Sequence, residues 1–210
     1  MTAITIRNLG ECDYHTVFER MREFTEMRNA SVCDEIWILQ HHPVFTLGQA
    51  GKPEHVLDAG EIPLVQSDRG GQVTYHGLGQ LVAYTLIDLR RSDLGIRELV
   101  SGLEASVIGL LSEVGIIGVR RTGAPGVYVN DAKISALGLR VRRGCAYHGV
   151  SLNVDMDLEP FTRINPCGYA GLRVTDMRSC GYAGTLADAA NKLSDKLTRQ
   201  FSARHTRALQ

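Results

Sequence analysis

The run Gly126-Val127-Tyr128-Val129-Asn130-Asp131-Ala132-Lys133-Ile134-Ser135-Ala136-Leu137-Gly138-Leu139-Arg140-Val141-Arg142-Arg143-Gly144 decides the fold class. The helical period that precedes it stops here. Short apolar segments alternate with Asn130-Asp131 and Arg143-Gly144, dipeptides suited to tight hairpin turns. Strands are therefore predicted over residues 126–129, 133–141 and 150–154. Outward from this block, Ile36-Trp37-Ile38-Leu39, Val44-Phe45-Thr46-Leu47 and residues 81–87 also read as strands. Residues 4–6 read as a short edge strand, and Leu64-Val65 begins another that feeds a glycine-rich block.

Three segments have helical spacing instead. Tyr14, Val17, Phe18, Met21 and Phe24 place a helix over about 13–29. Ile96, Leu99, Val100, Leu103, Val107, Leu110 and Leu111 place a second over 95–114. Thr185 and Asp188 form a capping-box-like pair before a last helix to about Phe201, after which the tail is expected to fray. Helices and strands mix without strict βαβ alternation. The expected class is α+β, with helices packed on a mostly antiparallel or mixed sheet, as one catalytic domain over residues 1–210.

Composition narrows the function. Lys+Arg and Asp+Glu both number 23, which argues against general nucleic-acid binding. No apolar run approaches the roughly 20 residues that span a bilayer, and the N-terminus lacks the pattern of a signal peptide. The five cysteines, Cys12, Cys33, Cys145, Cys167 and Cys180, form no Cys-x-x-Cys pair, so free thiols in a reducing cytoplasm are expected. Cys145 and His148 have a spacing that suits zinc but lack a second pair, and no metal site is expected.

One thiol stands apart. Cys167 lies in Asn165-Pro166-Cys167-Gly168, where proline holds the preceding residue extended and glycine frees the backbone after the thiol. The same pattern also suits an inert loop cysteine. Lys133 sits between residues fit for burial, and a buried lysine needs a partner. A thiolate would serve, because a nearby cation lowers a thiol pKa; a strand-edge lysine facing water is the alternative. Arg69 to Gln80 holds Gly70, Gly71, Gly77 and Gly79 around Thr74-Tyr75-His76. It is no P-loop, but its glycines allow close backbone approach to a ligand. His76 reads equally as a base or as a structural histidine. Arg140, Arg142 and Arg143, with Arg120 and Arg121 upstream, read as a solvated strand face or as a patch for an acidic partner.

Several blocks together carry a resemblance: His42-Pro43-Val44-Phe45-Thr46-Leu47-Gly48, residues 69–80, Gly123-Ala124-Pro125-Gly126-Val127-Tyr128-Val129, residues 133–144, His148-Gly149-Val150-Ser151-Leu152-Asn153 and Ile164-Asn165-Pro166-Cys167-Gly168. In order and spacing the chain resembles the lipoyl(octanoyl) transferases of lipoate biosynthesis. The resemblance implies the fold of the biotin and lipoate protein ligases and a cytoplasmic enzyme without cofactor. Its reaction would be transfer of an octanoyl group from acyl carrier protein to a lysine of a lipoyl domain. Acceptors would be the E2 subunits of 2-oxoacid dehydrogenases and the glycine cleavage H protein, and a monomer is expected. It implies Cys167 and Lys133 as catalytic. Substrate contacts would fall on Arg69, Gly70, Gly71, Gln72, Val73, Thr74, Tyr75 and His76, on Ala136, Leu137 and Gly138, and on Gly149, Val150 and Ser151. Leu78 departs from the proline usual there. Competing readings are an ATP-dependent lipoate-protein ligase, a docking module for lipoyl domains, and a cysteine hydrolase using His76 or His148. Backbone amides at Cys167-Gly168 or near Leu137-Gly138 are the expected oxyanion donors.

Overall fold

The structure, a computed structural model, describes residues 4–207; for Cys167 and residues 203–207 only the backbone is described. Among the described residues, nine strands form two sheets. Six of them, β1 (Thr5–Cys12), β2 (Glu35–His41), β6 (Gln80–Asp88), β9 (Cys145–Asn153), β8 (Ala132–Arg142) and β7 (Val127–Val129), lie side by side in that order. The small sheet has the order β4 (Leu64–Gln66), β3 (Val44–Leu47), β5 (Val73–His76). The β1–β2 and β3–β4 pairs are parallel and the others antiparallel. The α-helices of the described residues pack on them: α1 (Tyr14–Met27), α2 (Ile96–Glu113) and α3 (Leu186–Arg207). The architecture is the expected α+β one with mixed sheets.

The central strands of the large sheet, β2, β6 and β9, are buried on both faces, which explains their nearly unbroken apolar runs. Strand alternation divides them. Ile36, Ile38, Leu81 and Ala83 meet Leu99, Leu103 and Val107 of α2 and Leu193 and Leu197 of α3. Trp37, Leu39, Val82 and Tyr84 meet Tyr14, Val17, Phe18 and Met21 of α1. Each fully buried Leu, Val or Phe contributes about 1.5–3 kcal/mol. A third cluster, Phe45, Leu47, Val73, Tyr75, Phe161 and Ile164, lies under the small sheet.

Both predicted hairpin turns form. Asn130 and Asp131 (φ 46° and 69°) and Arg143 and Gly144 (φ 51° and 79°) take the left-handed conformations that two-residue hairpins require. Asp13 caps α1 by accepting from Thr16 N–H at 2.9 Å. Thr185 and Asp188 bond each other reciprocally ahead of α3.

Four boundaries differ from the sequence reading. β1 runs to Cys12 because parallel pairing with β2 carries it past its apolar start; its residues are largely exposed and give no alternation. β5 lies inside the glycine-rich block, where flanking glycines hid a four-residue strand. β9 begins at Cys145, five residues before the predicted start. α3 continues to Arg207, and residues 208–210 of the predicted frayed tail lie outside the described residues.

Candidate active site

The glycine-rich loop between β4 and β5 meets the edge of β8, and the candidate residues gather there. β7 pairs with β8 only as far as Ser135. Beyond that, the free edge of β8 faces the glycine-rich loop, whose Gly70 N–H bonds Leu139 O at 2.9 Å. Gly138 has to be glycine here: a Cβ would stand 2.9 Å from Arg69 Cδ and 3.3 Å from Gly70 O. A cavity of about 390 Å³ opens at this seam. Its deep part is walled by buried Tyr14, His76, Val82, Tyr84, His148 and Val150, and its mouth by exposed Ile96, Gly123, Pro125 and Tyr169. An apolar pocket with a few polar groups is the usual form of a small-ligand site.

Lys133 lines this cavity and is 6% exposed, so it does not face water at a strand edge. Its Nζ stands 5.4 Å from the centroid of the Tyr128 ring, a cation–π arrangement. Gly126 (φ 134°) presses on its stem: a Cβ there would lie 2.6 Å from Lys133 Cε. Gly126 is held in turn by α2, through its N–H to Glu104 Oε1 at 2.9 Å, while Glu104 Oε2 accepts from Arg120.

The Cys167 loop is tied down at both ends. Upstream, Ile164 bridges Val56, and Asn165 N–H bonds His55 O at 2.8 Å. Downstream, Val174 bridges Lys133 itself: Lys133 N–H bonds Arg173 O at 2.8 Å and Thr175 N–H bonds Lys133 O at 3.0 Å. Between these ties Pro166–Gly168 forms one 3₁₀ turn. Pro166 and Lys133 line the same small cleft, and Gly168 lies against the Gln72 and His55 side chains. The side chain of Cys167 lies outside the described residues. The Gly168 N–H is committed to Asn165 O at 2.9 Å.

Most other anticipated contacts line the cavity: Arg69, Gly70, Gly71, Gln72, Val73, Thr74, His76, Ala136, Leu137, Gly138, Gly149, Val150 and Ser151. Tyr75 does not. Strand alternation carries it to the opposite face, against Phe45 and Phe161. Arg69 is 8% exposed and its guanidinium bonds Thr46 O (2.6 Å) and Gln72 O (2.8 Å), so it braces the loop. His76 is a buried neutral ring. Its Nδ1 meets Gln80 Oε1 at 2.6 Å, and burial, with His41 nearby, pushes its pKa down to about 3. Burial likewise takes His41, which bonds Tyr84 OH at 2.7 Å, down to about 4.

The arginines do not act as one cluster. Arg142 pairs with Glu26 at 2.7 Å, Arg140 bonds Gln49 at 2.7 Å, Arg120 pairs with Glu104, and Arg121 with Asp131. Among the described residues no group of three or more His, Cys, Asp or Glu is placed to hold a metal, and no helix is long and apolar enough to cross a membrane. A larger groove, about 1060 Å³, runs along the other side of the Cys167 loop beside Ile117, Leu158 and Cys180, and Lys133 does not line it.

Sequence reasoning missed Tyr14, Val82 and Tyr84, which read only as core, and Glu104, a lone acid on an apolar helix face. It also missed Asp68. Its carboxylate accepts from Tyr147 OH and sits 2.8 Å from His148 Nε2. Its place directly before the Arg69 block was the available signal.

A mixed sheet backed by helices, with a lysine-bearing strand edge opposite a glycine loop, defines a class: the catalytic fold of lipoate and biotin protein ligases. A lipoate-protein ligase A solved with ATP superposes on 96% of the chain and 85% of its own length (TM-score 0.75, 16% identity). A biotin protein ligase from Aquifex aeolicus covers 96% of the chain and 70% of its own (TM-score 0.55, 12% identity). The lipoyl protein ligase A/B catalytic domain family matches residues 13–198. An octanoyltransferase of Dechloromonas aromatica is 58% identical over 196 residues, 93% of this chain and 96% of that protein. The chain belongs to the lipoyl protein ligase A/B catalytic-domain family, and within it to the octanoyltransferases.

Proposed function

We propose that this octanoyltransferase takes the octanoyl group from acyl carrier protein onto Cys167 as a thioester and passes it to a lysine of a lipoyl domain. Acceptors are the E2 subunits of 2-oxoacid dehydrogenases and the glycine cleavage H protein, and the enzyme works in the cytoplasm as a single catalytic domain and a monomer. The observation that carries the reading is the tie between the Cys167 loop and Lys133, made by the Val174 bridge.

In the first half-reaction the Cys167 thiolate attacks the thioester carbonyl. A carbon–sulfur bond forms to Cys167, the bond to the carrier sulfur breaks, and the carrier thiolate takes up a proton. One thioester replaces another, so this half needs no driving force. The octanoyl tail lies in the 390 Å³ cavity, where each buried methylene contributes about 0.8 kcal/mol. In the second half the acceptor amine attacks, an amide forms, and Cys167 leaves as thiolate. Thioester to amide is downhill, so ATP has no role.

Lys133 serves both halves. Beside a thiolate it stays an ammonium, and its charge holds the thiol ionised. Acylation removes the thiolate, and burial then favours the neutral amine. Neutral Lys133 takes the proton of the incoming amine as general base. With the Gly168 amide bonded to Asn165, the edge of β8 at Leu137-Gly138 is the better candidate for the oxyanion. His76 is no base in this scheme, since it is buried, neutral and bonded to Gln80.

The test is transfer from octanoyl-carrier protein to an apo lipoyl domain, with and without ATP and magnesium. Intact mass of the enzyme is followed with the donor alone. One hydroxylamine-labile octanoyl adduct is expected, absent from Cys167→Ala, with transfer independent of ATP. Full transfer by Cys167→Ala, or product only from free octanoate and ATP, would refute it.

A further inference from the structure

Along β9, Ala146, Val150 and Leu152 face the α2–α3 core, and Tyr147 faces α1. Alternation should send His148 with the even-numbered residues. It goes the other way. Its φ is 61°, a left-handed conformation uncommon for a residue with a side chain. Both consecutive rings consequently lie on one side, stacked at 5.0 Å and 25°. The His148 ring also packs on Phe18 (5.6 Å) and edge-on to Tyr84 (5.9 Å), 1% exposed, in the deep wall of the cavity.

One group holds this arrangement. Asp68 receives the Tyr147 hydroxyl on Oδ2 and His148 Nε2 on Oδ1 at 2.8 Å. Burial raises the Asp68 carboxyl, but the two hydrogen bonds together with nearby positive charge such as Arg140 outweigh it and leave the group below its ordinary pKa. Burial dominates at His148 and keeps the ring neutral, so Nε2–H donates to the carboxylate. Asp68 is itself fixed between Ser67, which accepts from Tyr14 OH at 2.7 Å, and Arg69, which braces the glycine loop. Strained backbone of this kind persists where its surroundings over-determine it.

We propose that Asp68 is a positioning residue that clamps His148 into the channel wall and thereby sets the longest acyl chain the enzyme accepts. The proposal rests on reading the cavity as the acyl channel. Without the carboxylate, His148 loses its hydrogen bond, the left-handed residue relaxes toward ordinary strand geometry, and the wall recedes.

The experiment measures kcat/KM for butanoyl, octanoyl and dodecanoyl carrier protein with wild type, Asp68→Ala, Asp68→Asn and His148→Gly. Glycine tolerates the backbone of His148, and Asn keeps the shape of Asp68, so a folding failure in Asp68→Ala leaves two informative variants. The dodecanoyl-to-octanoyl ratio should rise tenfold or more in Asp68→Ala and His148→Gly, mainly through KM, and by less in Asp68→Asn. A ratio that moves in His148→Gly but in neither Asp68 variant overturns the clamp, as does an equal loss at all lengths. Val82→Phe, which fills the deep wall, should cut octanoyl use relative to butanoyl. If it does not, the cavity is not the acyl channel and the clamp falls with it.

Discussion

Gly126→Ala tests how firmly the Lys133 amine, in its proposed role, is seated without removing it. Gly126 has φ 134°, and a Cβ there would lie 2.6 Å from Ser135 O and from Lys133 Cε and 3.3 Å from Nζ. The Ser135 carbonyl is backbone in a paired strand and cannot yield cheaply. The backbone strain costs about 1–3 kcal/mol. Overpacking adds about 1–3 kcal/mol. Against the about 5–15 kcal/mol typical of a native domain, most of the variant remains folded at 25 °C. The Lys133 stem has to move aside, and a misplacement of about 1 Å at a reacting group costs on the order of 10²-fold in rate. The expected result is a drop in Tm together with a roughly hundredfold fall in single-turnover rate from octanoyl-carrier protein, measured on protein shown to be folded by circular dichroism. A stable variant with a rate within threefold of wild type would mean that Lys133 is not held by this contact, or that its exact place does not matter.

Other consequences can be measured directly. Lys133→Ala should raise the apparent pKa of Cys167, read from alkylation rate against pH, by about one unit or more; an unchanged titration would leave Lys133 only the role of base. Because Arg140 is engaged by Gln49 and Arg142 by Glu26, the proposed carrier patch is better tested at exposed Arg143 and at Arg90, which stands 4.0 Å from Asp88. Their reversal to Glu should weaken use of octanoyl-carrier protein more than of a small octanoyl thioester, with the difference shrinking at high salt; equal loss on both donors argues against docking there. His41 and His76 titrate near 4 and 3 when folded, against about 6.5 unfolded. The unfolded chain thus binds more protons through this window, and stability is full above about pH 6.5 and falls as pH drops toward 4. His41 alone accounts for about 3 kcal/mol of that loss, and equal urea midpoints at pH 7.5 and 5 would contradict it.

The fold class was legible because the central strands of the large sheet, buried on both faces, leave apolar runs, and because Asn130-Asp131 and Arg143-Gly144 mark their own turns. The later part of β1 and all of β5 were not: β1 beyond its apolar start is an exposed edge, and β5 is set by its partner β3. At the site, the glycine block and Lys133 announced themselves by what a ligand or a buried charge would need. Asp68 did not, since its partners Tyr147 and His148 lie about 80 residues away and share a face only through a left-handed residue that no spacing rule anticipates. Tyr75 misled for the opposite reason: it sits within the block, and alternation turns it away.

The tie between Lys133 and Val174 also bears on the order of folding. β7, β8 and β9 are joined by two-residue turns, so Lys133 enters a meander of local contacts that closes early. The Cys167 loop docks on β5, some ninety residues upstream in the chain, and on β8, and such distant closures come late. On the proposed pairing, the thiol meets its cation only when this loop has closed. A nascent or partly folded chain would then carry Cys167 as an ordinary thiol, slow to react with electrophiles, and its nucleophilicity would arrive with that closure.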